Sequence, residues 1–185
     1  HVIKYYLSQN RFKEALKQLQ QYQNVMRKLN DPYRISMYFY EVGNFFTLQQ
    51  QNATALSYYL KAMNYWTDER CSIYTLIAQS YYSLKDYRKG ILYAKKALGT
   101  ATTQVMKFNP MVILLKCYCH GGDAANATNV MEELKELQHE NVNRVSFSRF
   151  YEALYCYYHY IKKDNDNAME ALLAAGNEYN PEYFG

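Results

Sequence analysis

Residues 39–62 read FYEVGNFFTLQQQNATALSYYLKA, and this stretch decides the fold class. Its apolar side chains recur at intervals of three and four residues, as at Val42 and Phe46, which is the pattern of an amphipathic α-helix. A glutamine-rich turn follows, and the small residues Ala55 and Ala62 then share one side of a second apolar helix. Small residues let two helix axes approach to about 8–10 Å. The stretch therefore predicts a helical hairpin.

The same sequence motif, a polar turn followed by a small residue in a second helix, occurs five times along the chain. The small residues are Ala15, Ala55, Gly90, Ala127 and Ala168, and they are 40, 35, 37 and 41 residues apart. A period of this size corresponds to one helical hairpin per repeat. We expect a single domain over residues 1–185, with repeats at about 1–30, 33–67, 70–100, 104–140 and 144–176.

The amino-acid composition agrees with an all-α protein. Of the 185 residues, 49% are hydrophobic and 21% are charged, which excludes a disordered chain. Seven glycines and three prolines are too few for the many turns of a β-sandwich or β-barrel. Even the longest apolar runs, such as Met111 to Leu115, are far shorter than the roughly 20 residues of a membrane-spanning helix, so we expect no membrane segment.

Hydrophobic periodicity and capping residues together predict ten helices. Asp31, which precedes a proline, is placed to cap one helix, and Asp86 and Asp123 are placed to cap two more. The pair Gly121-Gly122 permits the positive φ that ends a helix. The predicted helices lie at about 1–8, 11–29, 33–49, 53–66, 70–83, 87–99, 104–119, 124–139, 144–161 and 166–175.

These hairpins resemble the tetratricopeptide repeat (TPR), whose first helix carries a large residue, Leu-Gly or an equivalent, and Tyr, and whose second carries Ala, an aromatic residue and Ala. The second copy matches every one of these sites, with Phe39, Val42, Gly43, Phe46, Ala55, Tyr59 and Ala62. The third copy departs only at Ala94, with Tyr74, Ile77, Ala78, Tyr81, Gly90 and Ala97 at the other sites. The resemblance implies a right-handed superhelix of about five TPR-like helical hairpins.

The long repeats and the many Tyr and Asn residues are similar to the irregular TPR arrays of peptide-pheromone receptors in Gram-positive bacteria. These receptors comprise the Rap, PlcR and NprR group and the phage arbitrium receptors. The resemblance implies a peptide-binding, ligand-sensing part of a bacterial cytosolic regulator that acts in quorum sensing and transcription regulation. We expect the sequence to be a fragment of a longer protein, since it opens within a helix and without Met.

A different function stays open beside the regulator. The alternative is a general protein–protein scaffold, or a co-chaperone-like assembly factor without a small peptide ligand. Either function is non-enzymatic and cytoplasmic, and neither decides whether the protein forms a homodimer.

In the TPR family, the first helix of each pair lines a concave groove. By this resemblance, eight residues face the groove, namely Tyr40, Asn44, Thr47, Thr75, Gln79, Tyr82, Lys116 and Tyr157. An amide side chain can satisfy both the N–H and the C=O of an extended peptide, and a tyrosine buries apolar area while it keeps a hydroxyl group. We therefore expect these residues to bind a peptide or a segment of a partner protein.

The cysteines and histidines do not form a catalytic or metal-binding pattern. Cys71, Cys117, Cys119 and Cys156 belong to apolar helical stretches, and we expect them to be reduced core residues. Cys117 and Cys119, which precede His120, point about 200° apart on a helix and cannot share one tetrahedral metal ion. No nucleotide-binding, metalloprotease or hydrolase motif is present. We expect no enzyme activity, no cofactor and no metal.

Charge is distributed unevenly but without long runs. The net charge is +4; residues 1–92 carry 12 Lys and Arg against 6 Asp and Glu, whereas residues 93–185 carry 9 against 11. No positive run is longer than two residues, so we expect no nucleic-acid binding through this segment. An acidic group, Glu132, Glu133, Glu136 and Glu140, predicts a solvated helix face.

Overall fold

The computed structural model describes residues 2–29, 31–67, 69–138 and 144–178. Its helices are α1 (Val2–Ser8), α2 (Phe12–Leu29), α3 (Pro32–Leu48), α4 (Asn52–Asn64), α5 (Arg70–Ser83), α6 (Tyr87–Thr100), α7 (Gln104–Gly121), α8 (Ala124–Gln138), α9 (Arg144–Cys156) and α10 (Asn165–Glu178). The predicted boundaries are confirmed to within three residues, except at the end of the ninth helix. The predicted termini at His1 and His139 lie outside the described residues.

Consecutive helices pack as hairpins, α1 with α2, α3 with α4, and so on to α9 with α10. Each of the first three hairpins also packs against the next, through α2 and α3, α4 and α5, and α6 and α7. In addition, α7 contacts both α5 and α9, so the first helices of the last three hairpins lie side by side. The chain therefore forms an all-α stack, with the first helices in one layer and the second helices in the other.

All five hairpin turns that the structure describes use the same backbone conformation. The residue in each turn has a positive φ, which is 55° at Asn10, 58° at Gln50, 61° at Lys85, 74° at Gly122 and 57° at Lys163. In the first four turns, the N–H of the next residue donates to the carbonyl five residues earlier at 2.9–3.0 Å, as in a Schellman cap. These turns are 40, 35, 37 and 41 residues apart, like the small residues of the second helices. Each turn therefore fixes the register of its own hairpin.

Aspartate side chains begin several helices. The predicted caps Asp31, Asp86 and Asp123 are confirmed, because their Oδ1 atoms accept hydrogen bonds from the backbone N–H groups of Tyr33, Lys89 and Asn126 at 3.0, 3.1 and 3.2 Å. Asp164 caps α10 in the same way, through the N–H of Asn167 at 3.1 Å. These bonds satisfy donors of the first helical turn that have no partner within the helix.

Two glycines let helices approach more closely than any side chain would permit. A Cβ atom at Gly43 would lie 2.5 Å from Cε1 of Tyr59, and one at Gly90 would lie 2.7 Å from Sγ of Cys117. Gly43 closes the hairpin of α3 and α4, whereas Gly90 brings α6 against α7. Ala55 and Ala62, the small residues at which the sequence predicted a close approach in the hairpin of α3 and α4, are fully buried.

α7 is the central helix of the core. Residues 110–119 are all buried, and they pack with residues of α5, α6, α8 and α9 in one continuous cluster. The burial extends to Lys116, which is only 9% exposed. Within the part of the chain that the structure describes, no helix combines the length and the apolar character needed to cross a membrane.

The ninth helix departs from the sequence prediction at its C-terminal end. α9 ends at Cys156, and Tyr157–Lys162 form a π-helical turn in place of the regular helix predicted to residue 161. The N–H of Asp164 closes this turn by donating to the carbonyl of Tyr158 at 3.1 Å. The π-helical hydrogen bond spans one residue more than the α-helical one, so the side chains of this segment leave the α-helical register.

Candidate functional site

The first helices of the last four hairpins enclose two adjoining cavities. One has a volume of about 280 Å³ and lies between α5, α7 and α9. The other has a volume of about 370 Å³ and also reaches α3 through Tyr40. Thr75, Leu76, Asn109 and Arg149 line both cavities, which we call together the inner groove.

An ion pair crosses the smaller cavity. Nζ of Lys116 on α7 donates a hydrogen bond to Oε2 of Glu152 on α9 at 3.0 Å. The same Nζ lies 4.8 Å from the ring centre of Tyr82, within reach of a cation–π contact. The side chain of Glu152 is 39% exposed, so its carboxylate balances a buried cation and also faces the groove.

Two amide side chains offer hydrogen-bonding groups to the inner groove. Nε2 of Gln79 donates to Oγ of Ser83 at 3.5 Å, which is long for a hydrogen bond and leaves most of the amide free for other partners. Oδ1 of Asn109 accepts from Nη1 of Arg149 at 3.1 Å, which holds the exposed guanidinium at the edge of the groove. Among the described residues, no carboxylate forms an ion pair with Arg149.

The larger cavity is mainly apolar. Its wall includes Leu76, Val105, Met106 and Pro110, and Val105 is 62% exposed. Its carboxylate, that of Glu69, is already used at the start of α5, where it accepts hydrogen bonds from the first backbone N–H groups. This cavity therefore suits an apolar side chain beside the polar wall of the smaller cavity.

Four of the residues predicted from the sequence line the inner groove, namely Tyr40, Thr75, Gln79 and Lys116. They come from three successive first helices, so the structure brings them to one surface, as the TPR resemblance implied. Their role in binding a peptide stays a prediction.

Asn44 and Thr47 are placed differently from the prediction. The hydroxyl of Tyr59 donates to Oδ1 of Asn44 at 2.9 Å and lies 2.9 Å from Oγ1 of Thr47. Tyr59 is 1% exposed, and burial raises its pKa to about 12, so its hydroxyl stays protonated and needs partners. The half-buried Asn44 and the exposed Thr47 are these partners, and they line neither cavity, which corrects their assignment to the groove wall.

Tyr82 lies beyond the groove, in a cluster of rings around His120. Its hydroxyl is 3.1 Å from Nε2 of His120, and the rings of Tyr87 and Tyr160 lie 5.1 and 4.4 Å from the imidazole centre. Burial, with the charge of Lys116, lowers the pKa of His120, and the neutral imidazole can accept the hydroxyl proton in a hydrogen bond. Tyr82 thus joins α5 to the end of α7 and lines neither cavity, which corrects the prediction.

Tyr157 is also a correction. It is 5% exposed, and its hydroxyl lies 3.2 Å from Oγ1 of Thr128 on α8. Arg149 and Glu152 show which face of α9 lines the groove, and Cys156 continues that face four residues later. Tyr157 is the next residue and the first of the π-helical turn, and its side chain lies against α8 instead.

Three polar groove residues, Asn109, Arg149 and Glu152, were not predicted from the sequence. Asn109 precedes Lys116 by seven residues, so helical spacing alone places both on one face of α7. Arg149 and Glu152 are three residues apart on α9, but the prediction for that helix followed its aromatic residues instead. Asn109 could therefore have been predicted from its helical spacing to Lys116. Which face of α9 lines the groove could be seen only in the structure.

All four cysteines are buried and free, as predicted. Burial raises the pKa of Cys71 and Cys156, and it raises the pKa of Cys117 and of Cys119 to about 12. The thiolate, which is the form that attacks electrophiles and ligates metals, is therefore disfavoured near neutral pH. Within the described ranges, no three His, Cys, Asp or Glu side chains are placed to hold a metal ion.

Solved structures share the arrangement of these helices. A crystal structure of a kinesin light chain from Podosopora anserina with nearly identical TPR-like repeats has a TM-score of 0.69 and 12% identity, over 96% of this chain and 91% of that one. A variant of that protein has a TM-score of 0.70 and 12% identity, over 100% of this chain and 94% of that one. The crystal structure of YrrB, a TPR protein with an unusual peptide-binding site, has a TM-score of 0.60 and 15% identity, over 96% of this chain and 82% of that one. No family profile and no curated protein sequence matches the chain.

These likenesses confirm the predicted fold class. Almost the whole chain superposes on TPR repeats, so it forms a right-handed superhelix of TPR-like hairpins. The arrangement of the helices is thus shared with proteins that differ from this one at most positions of the sequence.

Proposed function

We propose that this chain is a non-enzymatic TPR-like domain that binds a short, extended peptide or protein segment in the inner groove. The five repeats predicted from the sequence form one domain over residues 1–185 in this proposal. The observation that carries it is the pair of adjoining cavities, which successive first helices line with polar groups on one side and apolar groups on the other.

The dimensions and chemistry of the inner groove suit a peptide. Cavities of about 280 and 370 Å³ lie at the small end of the range for ligand pockets, and each has room for a few side chains. An extended peptide presents an unpaired N–H and C=O at each residue, which the amides of Gln79 and Asn109 can satisfy. Leu76 and Met106 offer apolar contacts, and Tyr40 adds an aromatic ring at the α3 end.

A random library of short peptides displayed on phage provides the probe that tests this proposal. The most enriched peptide is then titrated by calorimetry against the wild-type chain and the double variant Gln79→Ala/Asn109→Ala. Each lost amide leaves polar groups of the bound peptide unpaired, at about 1–3 kcal/mol, so we expect a loss of roughly tenfold to a hundredfold in affinity per amide. The exposed Glu170→Ala variant on α10 is the matched control.

The control decides where the peptide binds. The proposal predicts an unchanged affinity for Glu170→Ala and melting temperatures close to wild type for both variants. An equal loss of affinity in both variants, or no loss in the groove variant, would remove the site from the inner groove. The general scaffold without a small peptide ligand would then be the better account.

The finer role, a ligand-sensing part of a bacterial cytosolic regulator, rests on the similarity of the long, Tyr-rich and Asn-rich repeats to the pheromone receptors. YrrB supports peptide binding on this fold, since it is described as having a peptide-binding site of its own. The test is the complete gene with its neighbours. A DNA-binding helix-turn-helix upstream and a nearby reading frame for a short secreted peptide support the regulator, whereas further repeats support the scaffold.

A further inference from the structure

The outward face of α6 carries more positive than negative charge. Arg88, Lys95 and Lys96 are exposed on this face, and the helix contains no Asp or Glu. Asp86, just before the helix, is already engaged, because it caps α6 and pairs with Lys89 at 3.1 Å. Among the described residues, Arg88, Lys95 and Lys96 form no ion pair. The outward face of α6 is therefore a basic stripe.

α8 carries the opposite charge at the equivalent positions. Gly90 of α6 and Ala127 of α8 occupy the same place in consecutive hairpins, 37 residues apart. The same shift of 37 residues takes Lys95-Lys96 to Glu132-Glu133, which are also exposed. Glu136 adds a third exposed acid one turn later, and Glu140 of the predicted acidic group lies outside the described residues. α6 and α8, the second helices of consecutive hairpins, thus carry opposite charges at equivalent positions along their axes.

In the described part of the chain, no direct ion pair joins these charges of α6 and α8 within one molecule, although the positive charge of Lys95 adds to the hydrogen bonds that lower the pKa of Asp123, which caps α8. The ammonium groups of Lys95 and Lys96 instead lie 5.9 and 4.7 Å from the ring centres of Tyr118 and Tyr93. Such contacts are weak at exposed sites, so both cations remain accessible to a carboxylate from outside.

We propose that this surface binds a second copy of the chain, with α6 of each protomer facing α8 of its partner. A two-fold axis parallel to the two helices and midway between them produces this arrangement. Rotation about that axis preserves height along the helices, so Lys95-Lys96 of one protomer meet Glu132-Glu133 of the other, twice by symmetry. Such an interface is self-complementary and closes at two copies. Leu92, 50% exposed on the same stripe, adds an apolar contact.

The alternation of charge favours a second copy over a broad polyanion. A nucleic acid or an anionic membrane that covered the basic stripe of α6 would also meet the acidic face of α8. A second copy related by the two-fold axis offers acid to α6 and base to α8 at once. The second helices form the layer opposite to the inner groove, so the dimer leaves the groove open and stands independently of the proposed peptide.

Sedimentation equilibrium of the full chain at about 0.05 M and about 1 M salt tests the dimer. The Debye length falls to about 3 Å at the higher salt, so we expect dimerisation at low salt and a loss of roughly tenfold or more in its association constant at high salt. Two charge-reversed variants, Lys95→Glu/Lys96→Glu and Glu132→Lys/Glu133→Lys, each place like charges opposite each other. Each should be monomeric alone.

Mixing the two variants is the decisive step. In the mixture the glutamates of one variant face the lysines of the other across both halves of the interface, so we expect a heterodimer at low salt. The variant that combines all four substitutions should dimerise like the wild type. Refolding defects cannot produce this rescue. A wild-type chain that stays monomeric at low salt, or a mixture that stays monomeric, overturns the proposal. So does binding of heparin or of anionic vesicles through Lys95 and Lys96 without self-association, which would assign the stripe to a polyanion.

Discussion

At the scale of single residues, buried tyrosine hydroxyls decide which polar side chains are structural. Tyr59 and Tyr157 are almost fully buried, and their hydroxyls lie 2.9 and 3.2 Å from the hydroxyls of Thr47 and Thr128 on neighbouring helices. A buried hydroxyl without a partner is costly, so each tyrosine engages a threonine hydroxyl, although Thr47 is itself exposed and Thr128 is half-buried. These tyrosines connect helices, and the groove relies on amide and charged residues instead.

The titration of His120 should make the free energy of unfolding depend on pH. Burial is the main cause that lowers its pKa, and the charges of Lys116, His159 and Lys85 act in the same direction. The unfolded chain therefore takes up this proton at higher pH than the folded chain. The free energy of unfolding should fall as the pH drops from about 6.5, the usual value for histidine, through the lowered pKa of the folded state.

Urea unfolding at pH values above and below this window measures the effect. The variant His120→Gln keeps an acceptor for the hydroxyl of Tyr82 but has no proton to gain, so its stability should fall less than that of the wild type over the same interval. Equal losses in the two proteins would show that His120 does not titrate with a lowered pKa. The carboxylates whose pKa values are lowered, such as Asp86 and Asp164, respond only in a more acidic range.

At the scale of elements, the five turns set the hairpins, and four of them hold a residue other than glycine in a left-handed conformation. That conformation costs a residue with a Cβ about 1–2 kcal/mol. Glycine avoids this strain, but its larger loss of conformational entropy on folding offsets up to about 1 kcal/mol of the gain. We expect Gln50→Gly and Lys85→Gly to raise the free energy of unfolding by up to about 1 kcal/mol each. Gly122→Ala should lower it by about 1 kcal/mol, as measured by chemical denaturation.

Gly99→Ala is the control for these turn variants. Gly99 is exposed within α6, its φ is not positive, and a Cβ there would have no heavy atom within 4 Å. Alanine should therefore stabilise the helix by about 0.5–1 kcal/mol. If Gly122→Ala behaves like Gly99→Ala, the left-handed turn does not constrain the hairpin and the account of the repeat register fails.

The sequence predicted most elements because their determinants are local. The caps at Asp31 and Asp123 and the turn at Gly122 depend on residues within one helical turn. The π-helical turn Tyr157–Lys162 was not predictable, because its residues continue the apolar spacing of α9 and so look like regular helix. Local chemistry thus predicts where most helices begin and end, but not where α9 ends.

At the scale of the whole molecule, the superhelix brings the first helices together, and only part of their inner face was predictable. Thr75, Gln79 and Lys116 follow from the TPR resemblance, which implies that first helices line the groove, together with the register within each helix. Asn44 was not predictable as a packing residue, because its partner Tyr59 is on another helix and the bond depends on how deeply that ring is buried. Arg149 enters the groove through the placement of α9 against α7, which no local pattern encodes.

The central claim is that the inner groove, and no other surface, holds the peptide. Photo-cross-linking tests it most directly, with a diazirine group on the peptide selected from the library and the attachment sites mapped by mass spectrometry. The account predicts attachment to groove residues of α5 and α7, such as Leu76, Met106 and Ile113. Attachment confined to the second helices α4, α6 and α8 would contradict it.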